Sequence, residues 1–406
     1  MAVNSAVPLP SSNTVKKISF FSAVKSACSR EWKYLHDHPW DKAMITWFPL
    51  ILLSLMAWFF VAAVPRGLPF VVVDADRTDK SRALIRLLDA TPALERKSVV
   101  SNLQEAEVWI KRREADAIVV IPEDFSKKIM RGENVSITGM YNASLNVAGT
   151  TSFREIDAAV TEFNTEFAMT HTAAVQGPTA LGAAPITVDV RVLFNAGRSF
   201  EIFLLGLVFP AILHLLMSVA AASSLCRELR DSTAQNFLET SDNRLVAGVI
   251  GKLSIYWGAL CLYGVLGLAY LCYWRGYGFA GSVGLWVLGF ALMQLAYCAI
   301  MILFVGTLKS MTRVLSCVGI YAATSIAFCG ATFPIDHASW FARLWHFILP
   351  YTSFIKLDAE QRYMAASFQD SWVHLVALLA FILIPAVIGF WAYKRALLNP
   401  LAWGLQ

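Results

Sequence analysis

Residues 226–252, CRELRDSTAQNFLETSDNRLVAGVIGK, decide how this chain reads. The stretch is polar and charged, and an apolar run flanks it on each side. Each run is long enough to cross a membrane, for which a helix needs about 20 apolar residues. Ser232 with Gln235 three residues on has the form of a capping box. The spacing therefore predicts a short helix from Thr233 with Phe237 and Leu238 on one side. Ser241, Asp242 and Asn243 are expected to end that helix and cap the apolar run that follows. A short amphipathic helix held between two spans would give a partner something to grip. The plainer alternative is a solvated connecting loop.

Outward from this stretch, composition sets the class. The chain has 406 residues, of which 57% are hydrophobic and 16% charged. Soluble domains carry roughly 25% charged residues. The deficit and the repeated apolar runs predict an α-helical polytopic membrane protein. Its six transmembrane helices fall at about 43–64, 202–225, 253–273, 285–308, 314–330 and 375–391. The formal charge of +5 is small and dispersed, which gives no footprint for nucleic acid. None of the seven cysteines lies in the long polar region between the first two spans, so a disulfide framework and a CxxC zinc site are both excluded there.

The reading divides the chain into four parts. Residues 1–42 hold a tail, expected to be disordered over 1–15 and without a signal-peptide core, and then an N-terminal interfacial helix. In that helix Phe20, Phe21, Val24, Ala27, Trp32 and Leu35 recur near helical spacing, with Lys25, Arg30 and Lys33 between them. Residues 43–64 are the first span. Residues 65–198 form an inserted α/β domain, because strand-like runs (PFVVVDAD, DAIVVIP, VSITGMYN) alternate with helical ones (SRALIRLLDA, LQEAEVWIKRREA, EDFSKKIMRG) before a long helix over about 151–174. Asp74, Asp76 and Asp79 read there as turn and cap residues, since no EF-hand Gly or terminal Glu follows them. Residues 199–406 are a five-helix membrane domain, with the charged stretch at 226–252 and a proline-broken outer region at 331–371. Lys and Arg concentrate in the N-terminal segment, in the loops after spans two and four, and at the C-terminus. That pattern predicts cytoplasmic termini and an extracytoplasmic inserted domain.

Catalytic motifs are missing. Gly251-Lys252 ends like a phosphate-binding loop, but Val246 stands where its first Gly belongs and Leu253 where Ser or Thr belongs. HExxH and GxSxG do not occur. No catalytic, cofactor-binding or metal-ligating residue is expected. His214 lies about 18 Å into span two at 1.5 Å per residue, close to the middle of a bilayer core about 30 Å thick. It reads either as a residue of a transport path or as a neutral imidazole hydrogen-bonded between helices.

The charged stretch resembles the cytoplasmic coupling segment of ABC-2-type transporter permeases. Arg227, Glu228, Arg230, Thr233, Arg244, Gly251 and Lys252 fit that pattern, while Ser232 stands where Gly is usual and Ser241 where Pro is usual. The inserted domain is similar to that of the multidrug-export-like branch, and Gly330, Phe333 and Pro334 resemble the Gly-x-x-Phe-Pro of the family's re-entrant region. The resemblance implies the permease subunit of an ATP-driven exporter in a bacterial inner membrane. A separate cytoplasmic ABC ATPase subunit, which would bind the ATP, is expected to dock on Arg227, Glu228, Arg230, Ser232, Thr233, Phe237, Leu238 and Arg244. A second permease copy or a paralogue would complete the path, for which His214, Met217, Tyr321 and Phe333 are candidates. A periplasmic adaptor would suit the outer domain. The substrate classes implied are amphiphilic drugs, lipids and glycans. Two alternatives remain at this level. One is a surface receptor or sensor, which would need an output domain. The other is an ATP-independent secondary transporter, which would show inverted repeats and more ionisable residues at the midplane.

Overall fold

The computed structural model describes residues 19–61, 67–112, 114–131, 133, 135–141, 146–176, 199–332, 335 and 338–404. The chain divides into two compact units, one of Met1–Phe60 with Ile202–Gln406 and one of Val61–Glu201.

The second unit is a small sheet covered on both faces. β1 (Leu68–Asp74) is followed by α4 (Asp79–Ala90), β2 (Leu94–Val100), α5 (Leu103–Lys111), β3 (Ala117–Ile121), α6 (Phe125–Met130), β4 (Thr138–Tyr141) and α7 (Asn146–Gln176). The strand order is β2-β1-β3-β4, with β1 parallel to β2 and β3, and β4 antiparallel to β3. Phe70 and Val72 face one core with Leu84 and Leu88 of α4 and Ile156 and Phe163 of α7, while Val71 and Val73 face another with Ala106 of α5. A strand buried on both sides needs an unbroken apolar run, which is why Phe70 to Val73 are all buried. The three aspartates act within turns and caps. Asp74 accepts from the backbone of Asp76 and Arg77 and from the Ser81 hydroxyl, and Asp76 accepts from Thr78 and the Ser126 backbone. Strand β2 has no counterpart in the sequence reading.

The first unit carries α1 (Phe20–Asp37), α2 (Pro39–Ala43) and α3 (Trp47–Phe59) before the insertion. After it come α8 (Phe200–Arg230), α9 (Ala234–Thr240), α10 (Leu245–Ala269), α11 (Val283–Leu308), α12 (Met311–Tyr321), α13 (Ser325–Phe328), α14 (Trp340–Ile348), α15 (Pro350–Arg362) and α16 (Phe368–Leu398). Six stretches are long and apolar enough to cross a membrane: Pro39–Phe59, Phe200–Arg230, Leu245–Trp274, Val283–Leu308, Met311–Phe328 and Phe368–Leu398. Helices α11 and α16 meet backbone to backbone. A Cβ on Gly389 would sit 2.7 Å from the Leu303 nitrogen, so only glycine allows the approach. Small residues at helix crossings serve this purpose in membranes, where burial gives no hydrophobic drive. Pro210 lies inside α8 without ending it. The short helices expected in the 331–371 region are α14 and α15; Phe333 and Pro334 lie outside the described residues.

Candidate coupling site

Helix α1 is built to lie close against α10. Ala23, Ala27, Glu31 and Leu35, four residues apart, form its buried stripe. A Cβ on Gly251 of α10 would run into the Val24 carbonyl and the Ala27 side chain. Of the residues read as the apolar face of an interfacial helix, Ala27 and Leu35 are buried, and Phe21 and Trp32 are exposed. The close approach carries Arg30 and Glu31 to the last turns of α8 and the first turns of α10.

There they form a buried charge cluster. Arg227 holds Glu31 through Nη2, 2.5 Å from Oε1 and 2.6 Å from Oε2. The Tyr256 hydroxyl donates to Glu31 Oε1 at 2.6 Å, and Lys252 Nζ is 3.3 Å from Oε2. Glu228 takes a bidentate grip from Arg30 at 3.0 and 2.9 Å, pairs with Lys252, and accepts from the Thr233 hydroxyl at 2.6 Å. The cations also rest on rings: Arg227 lies 3.4 Å above the Tyr34 ring centroid, and Arg30 and Lys252 lie 5.6 and 5.4 Å from that of Phe237. Asp41, which accepts from Tyr34 and lies 4.0 Å from Arg227, is the third carboxylate beside three cations. Burial alone would raise the Glu31 carboxyl, but Lys252 and Arg227, with the hydrogen bonds from Tyr256 and Arg227, outweigh it and hold the group below the ordinary glutamate value. Among the described residues, no side chain of this cluster leaves a buried polar atom without a partner.

The short helix α9 stands on this cluster. Ala234 and Phe237 are buried beneath it. The expected capping box of Ser232 and Gln235 does not form: the N-cap is Thr233, one residue on, and its hydroxyl donates to Glu228 rather than to the helix. Ser232 has a left-handed φ of 56°, the conformation that favours glycine. Ser241 is likewise no N-cap. Its hydroxyl donates back to the Phe237 and Leu238 carbonyls and so closes the C-terminal end of α9. Arg244, whose side chain makes no cap bond, begins α10.

Of the eight residues expected to dock a partner, Arg227, Glu228 and Phe237 are turned inward, at 7%, 1% and 1% exposure. Their polar atoms and rings are used within the chain. Arg230 and Ser232 are exposed, and Thr233, Leu238 and Arg244 are half-buried. Gln235, Asn236 and Glu239 add to the outward face of α9. Sequence reasoning missed Glu31 and Tyr256 and placed Arg30 only among the basic residues of the interfacial helix. The available signal was a glutamate on the four-residue stripe of Ala23, Ala27 and Leu35, where an apolar side chain belongs.

The path candidates are placed as follows. His214 and Met217 are fully buried in α8. Nδ1 of His214 lies 3.0 Å from the Pro210 carbonyl, and Nε2 lies 3.2 Å from both the Ala322 carbonyl and Ser325 Oγ. Tyr321 donates to the Ile348 carbonyl at 2.6 Å. Phe333 is outside the described residues.

A multi-pass helical membrane protein with a short helix mounted rigidly between two of its spans is the class that these features define. The chain belongs to the ABC-2 transporter family: the family profile described as ABC-2 family transporter protein matches residues 43–391. Proteins of this family are membrane permeases that lack an ATPase domain and generally work with ABC ATPase subunits. No curated protein matches the chain. Gly251 and Lys252, which end like a phosphate-binding loop in sequence, lie inside α10.

Proposed function

We propose that this permease is the membrane half of an exporter of the multidrug-export-like branch, and that the outward face of α9 receives a cytoplasmic ATPase. The observation that carries the reading is the mounting of α9. Its buried side sits on a charge cluster that joins α1, α8 and α10, so a force on α9 is passed to three helices together. The contact residues are then Arg230, Ser232, Gln235, Asn236, Leu238, Glu239 and Arg244. Arg227, Glu228, Thr233 and Phe237 act behind them as positioning residues. The α/β unit lies outside the membrane on this reading, the termini lie in the cytoplasm, and a second copy or a paralogue completes the path. Amphiphilic drugs, lipids and glycans are the substrate classes that the branch suggests.

The test exchanges two exposed residues, Asn236→Trp and Glu239→Lys, neither of which supports the fold. An ABC ATPase should copurify with the wild-type chain in near-equal amount, and the double variant should retain at most a tenth of it at normal membrane yield. Equal recovery from both proteins would remove α9 from the interface.

A further inference from the structure

A cavity of about 440 Å³ opens between α14, α15 and α16. That is within the range of small-molecule sites, roughly 300–1,000 Å³. Its lining mixes polar side chains on α14, α15 and the start of α16, Lys356 and His374 among them, with an apolar run on α16 that includes Ala377, Ala380, Phe381 and Ile384.

Both parts of the lining have a physical reading. Among the described residues no carboxylate pairs with Lys356, and its side chain is exposed. Both acidic groups of α15 are engaged elsewhere, Glu360 by His374 at 2.9 Å and the Ser371 hydroxyl at 2.7 Å, and Asp358 by Arg362 and Trp286. Lys356 therefore remains a free cation. It sits six residues before Arg362, the end of α15 that bonds back to the loop at Ala280 and Gly281. Six residues are about 9 Å at 1.5 Å per residue, a depth from which lysine reaches the headgroup level. The apolar part of the lining is a slot on α16. Ala377, Ala380, Phe381 and Ile384 share one helical face, and the two alanines make the groove. Helix α16 is the most apolar of the six candidate spans and the one least covered by the rest of the chain, and Phe347 and Ile384 are exposed. The slot therefore faces hydrocarbon.

A cation at headgroup level above an open apolar groove matches an anionic lipid. We propose that this cavity binds an anionic phospholipid from the bilayer, with its phosphate on Lys356 and one acyl chain along the α16 slot toward Pro385. The site lies within one chain and needs neither nucleotide nor partner, so it stands apart from the docking of an ATPase on α9.

The experiment uses the full-length chain, delipidated in detergent. Phosphatidylglycerol and phosphatidylcholine with the same acyl chains, one of them photoreactive, are titrated and followed by native mass spectrometry and by mapping of the cross-link. Phosphatidylglycerol should bind at least tenfold more tightly than phosphatidylcholine, and the label should fall on α16 between residues 377 and 385. Lys356→Gln should bring phosphatidylglycerol down to the phosphatidylcholine level and Lys356→Arg should preserve it. Ala380→Trp should exclude both. The exchange at exposed Lys356 tests the idea even if the tryptophan variant folds poorly. Equal binding of the two lipids, a label elsewhere, displacement by millimolar inorganic phosphate alone, or a slot protected by a second copy of the chain would each overturn the proposal. The α9 double variant should bind lipid as the wild type does, so failure of one assignment leaves the other intact.

Discussion

Helix α8 carries a buried ion cluster at each end, roughly 40 Å apart along the helix, and the two are built differently. At the α9 end, Arg227 and Glu228 meet partners 196 and 198 residues away in sequence, on α1, as well as Lys252 on α10. At the other end, Asp358 and Arg362 are neighbours one turn apart on α15. Trp286 of α11 donates to Asp358 at 2.7 Å, and Arg362 donates to the Ile202 carbonyl at 3.2 Å. The first cluster is complete. In the second, Arg362 Nε is buried without a partner. At the α9 end the charges themselves come from three helices, whereas at the other end the ion pair lies within α15 and reaches α8 and α11 through single hydrogen bonds. Rigidity is therefore concentrated beneath α9, where a push from outside would have to be received.

The sharpest way to break this contrast is Glu228→Ala. It leaves Lys252, 1% exposed in its side chain, facing Glu31 alone, and strips Arg30 and Thr233 of their acceptor. Removing one partner of a buried pair costs about 3–5 kcal/mol, against about 0–1 kcal/mol for an exposed pair. Thermal unfolding should therefore shift strongly downward and membrane yield should fall, with loss of any bound ATPase as a consequence. Glu228→Gln keeps hydrogen-bonding atoms in place and should fall between the two. A variant as stable as the wild type would mean that the cluster does not support α9.

The opposite end is probed by Gly206→Ala. The new Cβ would collide with the Arg362 guanidinium, which Asp358 and the Ile202 carbonyl hold in place. Overpacking of this kind costs about 1–3 kcal/mol. The melting point should drop less than for Glu228→Ala, and ATPase recovery should not change, because the disturbance lies at the end of α8 opposite to α9. A parallel loss of the ATPase would show that the two ends are not separable.

The same contrast explains what the sequence could reveal. Spans and the α/β alternation are written in local pattern, as apolar length and as runs such as Phe70–Val73 buried on both faces. Strand β2 escaped because it is an edge strand whose central residues Glu95, Arg96 and Lys97 are exposed, so it lacks an apolar run. The capping box at Ser232 failed for a different reason. A local rule counts Ser232 and Gln235 but cannot foresee that Ser232 takes a left-handed φ and that the N-cap passes to Thr233, whose hydroxyl goes to Glu228. Glu31 was invisible as a site residue because its partners Arg227, Lys252 and Tyr256 lie about two hundred residues on. Positions in the charged stretch were legible as important, yet which of them face outward was decided by α1, a segment outside it.

His214 gives the smallest expected effect and marks the limit of the comparison, since it is a buried polar network without charge. The tautomer is assigned from the shorter carbonyl contact, that of Nδ1 with Pro210. Nδ1–H donates to the Pro210 carbonyl, and Nε2 accepts from the Ser325 hydroxyl, which Tyr297 reaches at 3.0 Å. The ring lies between Tyr297 and Tyr351, with centroids 4.3 and 5.0 Å away. A neutral imidazole donates to one carbonyl only: with its proton on Pro210, Nε2 accepts from Ser325 and gives no proton to the Ala322 carbonyl 3.2 Å away, while a second proton would place a charge among carbonyls and hydroxyls. A glutamine side chain can serve either Pro210 or Ser325 but not both. The loss is one hydrogen bond, about 1 kcal/mol, well below the cost of opening either ion cluster. His214→Gln should therefore insert normally, and its complex with the ATPase should keep most of its ATP turnover with the same pH profile as the wild type. Abolished turnover in a stable, ATPase-bound variant would instead assign His214 a proton-carrying role, and would place the sensitive element at the centre of α8 rather than at its ends.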